Sequence, residues 1–199
     1  YLYLANQSGA NVDSLDLVRA DGGRVRFYPA SGDKTYTRGL FISREPGPYQ
    51  GAQLQSLGGE FILTQRDGSR LGFNFLVTSL KWIEDRHGNR LSIYRNNIGL
   101  VTTAVTPNGR WLEFEYAAPT CLNCVSRVSD NAGRSVGYQY DAQGRLSRVI
   151  DAAGGFTDYT YDTAHRMDTV KDPRGHTVVT NEYDANGRVK KQTYADTTT

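Results

Sequence analysis

The sequence predicts an all-β protein in which repetitive antiparallel β-hairpins follow one another, and three observations lead to this prediction. Turn-forming glycines recur at nearly constant spacing, tyrosines follow them at regular distances, and the residues in between alternate in polarity. The composition agrees, because 13 Tyr and 21 Gly suit short strands that are joined by tight turns.

The glycine spacing reveals an internal repeat in the second half of the chain. Successive glycines are separated by 21, 24, 21 and 21 residues, at Gly88, Gly109, Gly133, Gly154 and Gly175. The tyrosines that follow them are Tyr94, Tyr116, Tyr140, Tyr161 and Tyr183. A period of this length is typical of one supersecondary unit, which here is turn, strand, turn and strand.

Aspartate follows each of the last three tyrosines, giving the pairs Tyr140-Asp141, Tyr161-Asp162 and Tyr183-Asp184. A second turn follows in two of these units, at Gly144 and Gly187. Aspartate beside a turn is explained by an Asx-turn, in which its side chain binds nearby backbone. We therefore assign these residues a structural role in the repeat.

Two Asn-Gly dipeptides predict the geometry of individual turns. Asn108-Gly109 and Asn186-Gly187 are favoured in tight hairpins because both central residues can take positive φ. Asp67-Gly68 predicts a similar turn earlier in the chain.

Apolar residues recur with a period of two after the turn glycines. After Gly68 the third, fifth and seventh residues are Leu71, Phe73 and Phe75. The same positions in later units hold Leu112, Phe114, Tyr116, Val136, Tyr138, Tyr140, Thr157, Tyr159 and Tyr161. The residues between them are mostly small or polar, which is typical of half-buried antiparallel strands.

Two units depart from this phase. After Gly88 the tyrosine, Tyr94, falls one place early, and after Gly175 the tyrosine, Tyr183, comes one place late. Because a one-residue shift turns side chains to the other face of a sheet, we expect a bulge or a changed turn in both units.

We expect the chain to divide into an irregular β lead-in region, residues 1–80, and about five tyrosine-aspartate repeats of 21–24 residues, residues 81–199. In the first region, Glu60 to Thr64 is predicted to be a strand, whereas Gln50 to Gly59 is predicted to be loop because glycine interrupts it. Because the chain begins at Tyr1 instead of Met, we interpret it as a segment of a longer polypeptide.

The charge balance and the hydropathy argue against two kinds of partner. Lys and Arg total 23 against 21 Asp and Glu, a net charge of +2, whereas nucleic-acid-binding domains usually present a strongly basic face. No apolar run approaches the roughly 20 residues that a membrane-spanning helix needs. We expect no nucleic-acid partner and no membrane span.

The insertion at residues 117–124 contains Cys121 and Cys124 in a CxxC motif. A structural zinc site needs four ligands, and His87, His165 and His176 each lie near a repeat turn instead of beside this pair. The simpler interpretation is a turn insertion whose two thiols are able to form a small-loop disulfide, and metal or redox roles are the alternatives. We expect no metal and no cofactor.

No residue pattern predicts an enzyme. Nucleophilic or acid–base catalysis would require a histidine, cysteine or serine beside a suitable partner, and the sequence offers no such spacing. The repeated tyrosines could stack on sugars, but tyrosine at repeat spacing more often packs between successive hairpins.

The unit Tyr140-Asp141…Gly144-Arg145-Leu146 and its repetition around Tyr183 resemble the YD, or Rhs, repeat of bacterial Rhs proteins, insecticidal toxin-complex proteins and animal teneurins. The resemblance covers about Trp82 to Tyr194. It implies a spiral sheet of successive hairpins that forms a hollow shell, which in many bacterial members holds a C-terminal toxin. Asp172-Pro-Arg-Gly175 is similar to the DPxG core motif of that family, but His176 stands where a hydrophobic residue is expected, so no proteolytic role is assigned.

The resemblance implies a structural segment of a β-shell that encloses or displays a toxin or other cargo in a secreted or cell-surface protein. The implied partners are neighbouring repeats and the C-terminal toxin or cargo of the same longer chain, with delivery-system proteins or glycans as further candidates. The alternative function is a carbohydrate-binding or adhesive cell-surface module.

Overall fold

The computed structural model describes residues 2–5 and 11–195, and every regular element in these residues is a β-strand. The strands of the first half are β1 Leu2–Ala5, β2 Ser14–Val18, β3 Arg24–Pro29, β4 Leu40–Ser43, β5 Gln53–Leu57, β6 Glu60–Thr64, β7 Arg70–Asn74, β8 Leu80–Glu84 and β9 Arg90–Arg95. The strands of the second half are β10 Val101–Val105, β11 Trp111–Glu115, β12 Arg127–Asp130, β13 Ser135–Tyr140, β14 Leu146–Ile150, β15 Phe156–Tyr161, β16 Met167–Lys171, β17 Thr177–Tyr183 and β18 Val189–Tyr194. The all-β prediction is confirmed.

The chain forms two compact units. The first comprises Tyr1–Asn96 and Ala104–Arg110, and the second comprises Asn97–Thr103 and Trp111–Thr199. Strand β10 contributes residues to both units. The boundary predicted between residues 80 and 81 falls inside β8, which lies within the first unit.

The first unit is an antiparallel meander in which each strand from β1 to β8 pairs with the next one. Its alternating apolar residues meet in one core, and some of them lie directly opposite each other, as Phe61 and Phe73 do. The large side chains that are fully buried in this core are Phe27, Phe41, Phe61, Phe73, Leu15, Leu54 and Leu63. Burying side chains of this size is the main favourable contribution to folding, about 1.5–3 kcal/mol for each one.

The loop predicted from Gln50 to Gly59 is wrong over half of its length. Strand β5 lies there and pairs with both β4 and β6. Its pattern was difficult to recognise because only Leu54 is fully buried, while Gln53 and Gln55 are exposed on the other face. Gly58 and Gly59 both take positive φ and form the two-residue turn into β6.

The second unit is also an antiparallel meander, from β11 to β18. The register confirms the predicted alternation, because apolar residues face each other across strands, in the pairs Val128–Val136, Tyr138–Val149, Tyr159–Val170 and Val170–Val179. In the described part of this unit, Ala118 and Asn181 are the only fully buried residues, so the strands are half-buried as expected.

The predicted irregularities are present in one of the two units. The β16–β17 pairing shifts register between Val170 and Lys171, which confirms the bulge expected after Gly175. The β8–β9 pairing after Gly88 runs without a shift, and Tyr94 is exposed instead. Because Tyr94 is exposed near the end of β9, its shifted position in the alternation does not require a bulge.

Register shifts also occur at the tyrosine-aspartate hairpins, which the sequence did not predict. Each lies beside the tyrosine that precedes the aspartate, namely Tyr140, Tyr161 and Tyr183. A bulge places two residues of one strand opposite one residue of the other, so it changes the direction of the local side chains.

The turn geometry predicted for the two Asn-Gly dipeptides is wrong in one respect. Gly109 and Gly187 take positive φ, but Asn108 and Asn186 do not, since Thr78 and His165 are the only described residues other than glycine with positive φ. The glycine N–H donates to a carbonyl three residues earlier, as Gly187 does to Asp184. This pattern is typical of a three-residue loop, in which a type I turn precedes a single left-handed residue.

Candidate functional site

The recurring constellation in the second unit is the tyrosine-aspartate turn, and its first component is the tyrosine hydroxyl. It donates a hydrogen bond to a backbone carbonyl that lies 15 or 16 residues earlier in the chain. The bonds are Tyr116–Val101 at 2.8 Å, Tyr140–Val125 at 2.7 Å, Tyr161–Leu146 at 2.8 Å and Tyr183–Met167 at 2.6 Å. Burial raises the pKa of Tyr140 and Tyr161, which keeps these hydroxyls protonated as donors.

The second component is the aspartate after the tyrosine, which organises the turn. Asp141 Oδ1 accepts from the backbone N–H groups of Gln143 at 3.0 Å and Arg145 at 2.9 Å. Asp162 and Asp184 accept the equivalent pairs of bonds. This is the Asx-turn that the sequence suggested, and it occupies backbone donors that would otherwise need water.

The third component is the residue in the left-handed conformation. The repeat glycines have φ between +75° and +85°, and they are Gly88, Gly109, Gly133, Gly144, Gly154, Gly175 and Gly187. In the turn after Asp162 this position is occupied by His165, with φ of +63°. A side chain with a Cβ is disfavoured there, so His165 is a locally strained substitute for glycine.

The fourth component is the arginine after the left-handed residue, whose role the sequence did not reveal. Arg145 Nε donates to Asp141 Oδ2 at 2.7 Å, and its guanidinium carbon lies 4.4 Å from the ring centroid of Tyr161 in the next repeat. Arg166 repeats this arrangement with Asp162 at 2.8 Å and with Tyr183 at 4.4 Å. Each arginine therefore joins its own turn to the following repeat.

These contacts have an electrostatic consequence. Hydrogen bonds from the backbone and the side chain of Arg166 lower the pKa of Asp162. Although desolvation opposes the change, the same groups of Arg145 lower the pKa of Asp141. The carboxylates are therefore held in the charged form, which is the form that binds the turn and the arginine.

Cys121 and Cys124 are joined in a disulfide, with their Cα atoms 5.3 Å apart. The insertion that carries them lies close to the turn at Gly144, since a Cβ added to this glycine would be 3.4 Å from the Thr120 carbonyl oxygen and 3.8 Å from Cys121 Cβ. Among the residues that the structure describes, no group of three or more His, Cys, Asp or Glu side chains could hold a metal ion.

The three histidines contact neighbours at the repeat turns. His165 Nδ1 lies 3.0 Å from Arg145 Nη1, His176 Nδ1 lies 3.5 Å from Asp172, and His87 Nε2 accepts from Arg86 at 3.0 Å. The structure thus brings His165 to the arginine of the preceding repeat.

The face of the second unit opposite to the tyrosines is mostly polar, although Ile150 and Phe156 lie opposite each other on it. Arg148 binds Asp158 on the neighbouring strand, with Nη2 and Oδ2 2.8 Å apart, and stacks on Phe156 at 4.1 Å. The hydroxyls of Thr160 and Thr169 are 2.7 Å apart across the next strand pair. These pairs depend on strand register, so sequence reasoning missed them.

Residues 2–5 and 11–195 contain no helix that is long and apolar enough to cross a membrane.

Comparison with known families finds one match within the repeat region. The family described as RHS Repeat matches residues 125–155 and 143–177, which include the hairpins of Tyr140 and Tyr161. No curated protein matches the chain.

Several solved structures are similar to the chain at low sequence identity. A TcdB2-TccC3-TEV structure is 13% identical over 94% of this chain and 12% of its own, with a TM-score of 0.40. A Photorhabdus luminescens Tc holotoxin pore with a mutation in TccC3 is 12% identical over 95% of this chain and 11% of its own, with a TM-score of 0.41. A porin-like protein from Bacteroides uniformis is 11% identical over 96% of this chain and 91% of its own, with a TM-score of 0.39. The chain thus spans a small part of the first two proteins.

Proposed function

We propose that this chain, which carries RHS repeats, is a structural segment of a β-shell wall that encloses or displays a toxin or other cargo in a secreted or surface-delivered protein. The observation that carries the proposal is the repeated joint between hairpins, in which tyrosine, aspartate and arginine bind backbone and one another. The proposal assigns these side chains a structural role and no catalytic one.

The joint supports a wall because it links each repeat to the next at fixed geometry. The Tyr161 hydroxyl binds the carbonyl of Leu146, and the ring of the same tyrosine carries Arg145. The tyrosine hydroxyl is bound to a backbone carbonyl, and the arginine on its ring is held by an aspartate. One hairpin therefore has little freedom to rotate against its neighbour. A shell wall requires such a rigid joint between successive repeats.

The two faces of the second unit also differ in chemistry, as the two sides of a wall would. Tyr138 and Tyr159 lie on the same face as Val149 and Val170, which are their cross-strand partners. The opposite face carries the Arg148–Asp158 ion pair and the paired threonines.

The carbohydrate-binding alternative has weaker support. A sugar-binding tyrosine needs an open ring face and a hydroxyl that is available to the ligand. In Tyr161 and Tyr183 an arginine covers the ring, and the hydroxyl is bound to a backbone carbonyl.

Single cysteines on opposite faces of the full-length gene product would test the wall. Thr157→Cys lies on the tyrosine face and Thr180→Cys on the polar face, and both threonines are half-buried. If the sheet forms a closed wall, a small maleimide should label both variants. A long polyethylene-glycol maleimide should then label only the variant on the outer face. Cys121 and Cys124, being paired, provide the unlabelled background.

The isolated 199-residue chain is the control, and both variants should react there with the long reagent at similar rates. Equal labelling of both variants in the full-length protein by the long reagent would contradict a closed wall.

A further inference from the structure

Cys124 occupies the position in its repeat that an arginine occupies in the next two repeats. Arg145 and Arg166 each directly precede the residue whose carbonyl accepts the hydroxyl of the following tyrosine. Cys124 directly precedes Val125, whose carbonyl accepts the Tyr140 hydroxyl at 2.7 Å. The joint at this tyrosine therefore has a cysteine where the next two joints have an arginine.

The side-chain bonds that close these turns differ in kind. Arg145 and Arg166 form ion pairs with the aspartates four residues earlier, whereas Cys124 is bound covalently to Cys121, three residues earlier. The backbone closes in the same way, because an N–H donates to the carbonyl three residues earlier, from Cys124 at 3.0 Å and from Gly144 at 2.9 Å. The disulfide thus takes the place of the aspartate–arginine ion pair in this turn.

The insertion also contacts the hairpin that follows it at two further points. At its base, the N–H of Ser126 donates to the Glu115 carbonyl at 2.7 Å, and the Ser126 carbonyl accepts from the N–H of Tyr138 at 2.9 Å. At its tip, Cys121 lies close to Gly144, the left-handed residue of the following turn. Opening the disulfide therefore frees a segment that both binds and packs against the next hairpin.

The disulfide is accessible, and its constraint is local. Both cysteines are half-buried, and the two residues between them, Leu122 and Asn123, are exposed. A bridge across so short a loop removes little entropy from the unfolded chain, because the loop-closure contribution grows with loop length. The disulfide therefore fixes the geometry of one turn more than it stabilises the whole unit.

We propose that the Cys121–Cys124 disulfide is a thiol–disulfide exchange site that takes a small dithiol and loosens the joint at Tyr140 when it is reduced. A thiolate of the dithiol attacks one cystine sulfur, which breaks the S–S bond and leaves a mixed disulfide. The second thiolate of the reagent then attacks this mixed disulfide and forms a cyclic disulfide. Two electrons pass to the chain, and the two protons of the dithiol end, through water, on the two cysteine sulfurs.

Reduction leaves the neighbouring joints intact. The joints at Tyr161 and Tyr183 are closed by the ion pairs of Arg145 and Arg166, which a thiol does not attack. One joint of the array therefore responds to redox conditions while the following two do not. The proposal goes beyond the shell proposal, because it concerns the response of one turn and requires no cargo.

Hydrogen exchange of the 199-residue chain with and without dithiothreitol tests the proposal, with free thiols counted by a chromogenic reagent. We expect both cysteines to become thiols in the folded chain, and the amides of Ser126 and Tyr138 to exchange about fivefold faster. The amide of Arg166, which is bound to an aspartate in the next turn, should exchange equally in both states. The double variant Cys121→Ser, Cys124→Ser is the control, and it should exchange like the reduced chain in both conditions.

The coupling between the disulfide and the tyrosine hydroxyl is measured by urea denaturation. Tyr140→Phe removes the donor to Val125 and should lower the folding equilibrium constant about fivefold in the oxidised chain, but less than about twofold in the reduced chain. Tyr161→Phe is the matched control, since it removes an equivalent bond of 2.8 Å from a joint that an ion pair closes. Its effect should be about fivefold in both redox states.

Three results would overturn the proposal. They are thiols that appear only after the chain unfolds, exchange at Ser126 and Tyr138 that is unchanged by reduction, and an equal response of the two tyrosine variants to reduction. Loss of protection throughout the second unit would show that the disulfide holds the whole unit, and it would also overturn the proposal. None of these results affects the labelling test of the wall.

Discussion

The guanidinium carbon of Arg166 lies 4.4 Å from the ring centroid of Tyr183, while the same arginine donates to Asp162 in its own turn. One side chain therefore holds a turn closed and covers the tyrosine of the next repeat. Cation–π contacts contribute about 0.5–1 kcal/mol at exposed sites. Because the motif residues share partners, substitutions within one motif should not be additive.

Removing a repeat tyrosine hydroxyl should destabilise the fold. Tyr161→Phe deletes the donor to the Leu146 carbonyl and leaves the ring in place, so we expect a loss of about 1 kcal/mol in the free energy of unfolding. Urea denaturation measures the change. Tyr94→Phe is the control, because Tyr94 is exposed, and an equal loss there would contradict the role of the bond.

Replacing the strained histidine by glycine should stabilise the fold. His165 takes φ of +63°, which costs about 1 kcal/mol for a residue with a Cβ. We expect His165→Gly to raise the melting temperature, whereas His165→Ala, which also loses the contact with Arg145, should not. If glycine and alanine gave the same melting temperature, backbone strain would not explain the difference.

The turn glycines should not tolerate β-branched residues. Gly109 and Gly187 have φ of +80° and +77°, a region that is strongly disfavoured for valine. We expect Gly109→Val and Gly187→Val to destabilise the chain more than Asn123→Ala, an exposed substitution in the insertion. Equal melting temperatures for the three variants would argue against this requirement.

We expect the hydroxyl group of Ser43 to lower the free energy of unfolding relative to a side chain without it. Ser43 is buried among the core residues of the first unit, and its Oγ has no hydrogen-bond partner in the structure. Since an unpaired buried polar group costs about 1–3 kcal/mol, Ser43→Ala should leave stability unchanged or raise it. A loss above about 1 kcal/mol in urea denaturation would indicate that the hydroxyl is bound.

Acid should destabilise the turns. The side chain of Arg134 lowers the pKa of Asp130, and the backbone and side chain of Arg166 lower that of Asp162. A carboxyl with a lowered folded pKa contributes stability above its ordinary pKa of about 4 and loses it as the pH falls through the folded value. As the pH decreases below about 4, the melting temperature should therefore decrease, and it should decrease less steeply in Asp162→Asn. An identical slope in the variant would contradict the contribution of Asp162.

The hairpins could be predicted from the sequence because each one is specified by residues that are neighbours in the chain. The period-two alternation that includes Tyr138 and Tyr140 requires no knowledge of partners, and turn glycines such as Gly144 are recognisable one at a time. The role of Arg145 could not be predicted in this way, because it depends on which tyrosine the register brings beside it. The bulges at the tyrosines depend on register for the same reason.

The first unit was harder to predict than the repeats. Strand β5 buries a single large residue, Leu54, between exposed glutamines, so its periodicity is weak although its pairing is complete. Its stability comes from the strands on either side. Tertiary context of this kind overrides local preference.

The hydrogen bonds of the repeat tyrosines connect residues that are separated by few positions in the sequence. The hydroxyls of Tyr140 and Tyr161 reach carbonyls that lie 15 residues earlier, and that of Tyr183 reaches one 16 residues earlier. Contacts of such short sequence separation form without the loop-closure cost of distant pairing. Each repeat can therefore be secured during synthesis as soon as the next tyrosine leaves the ribosome, so that this half of the protein can fold progressively from its amino-terminal side.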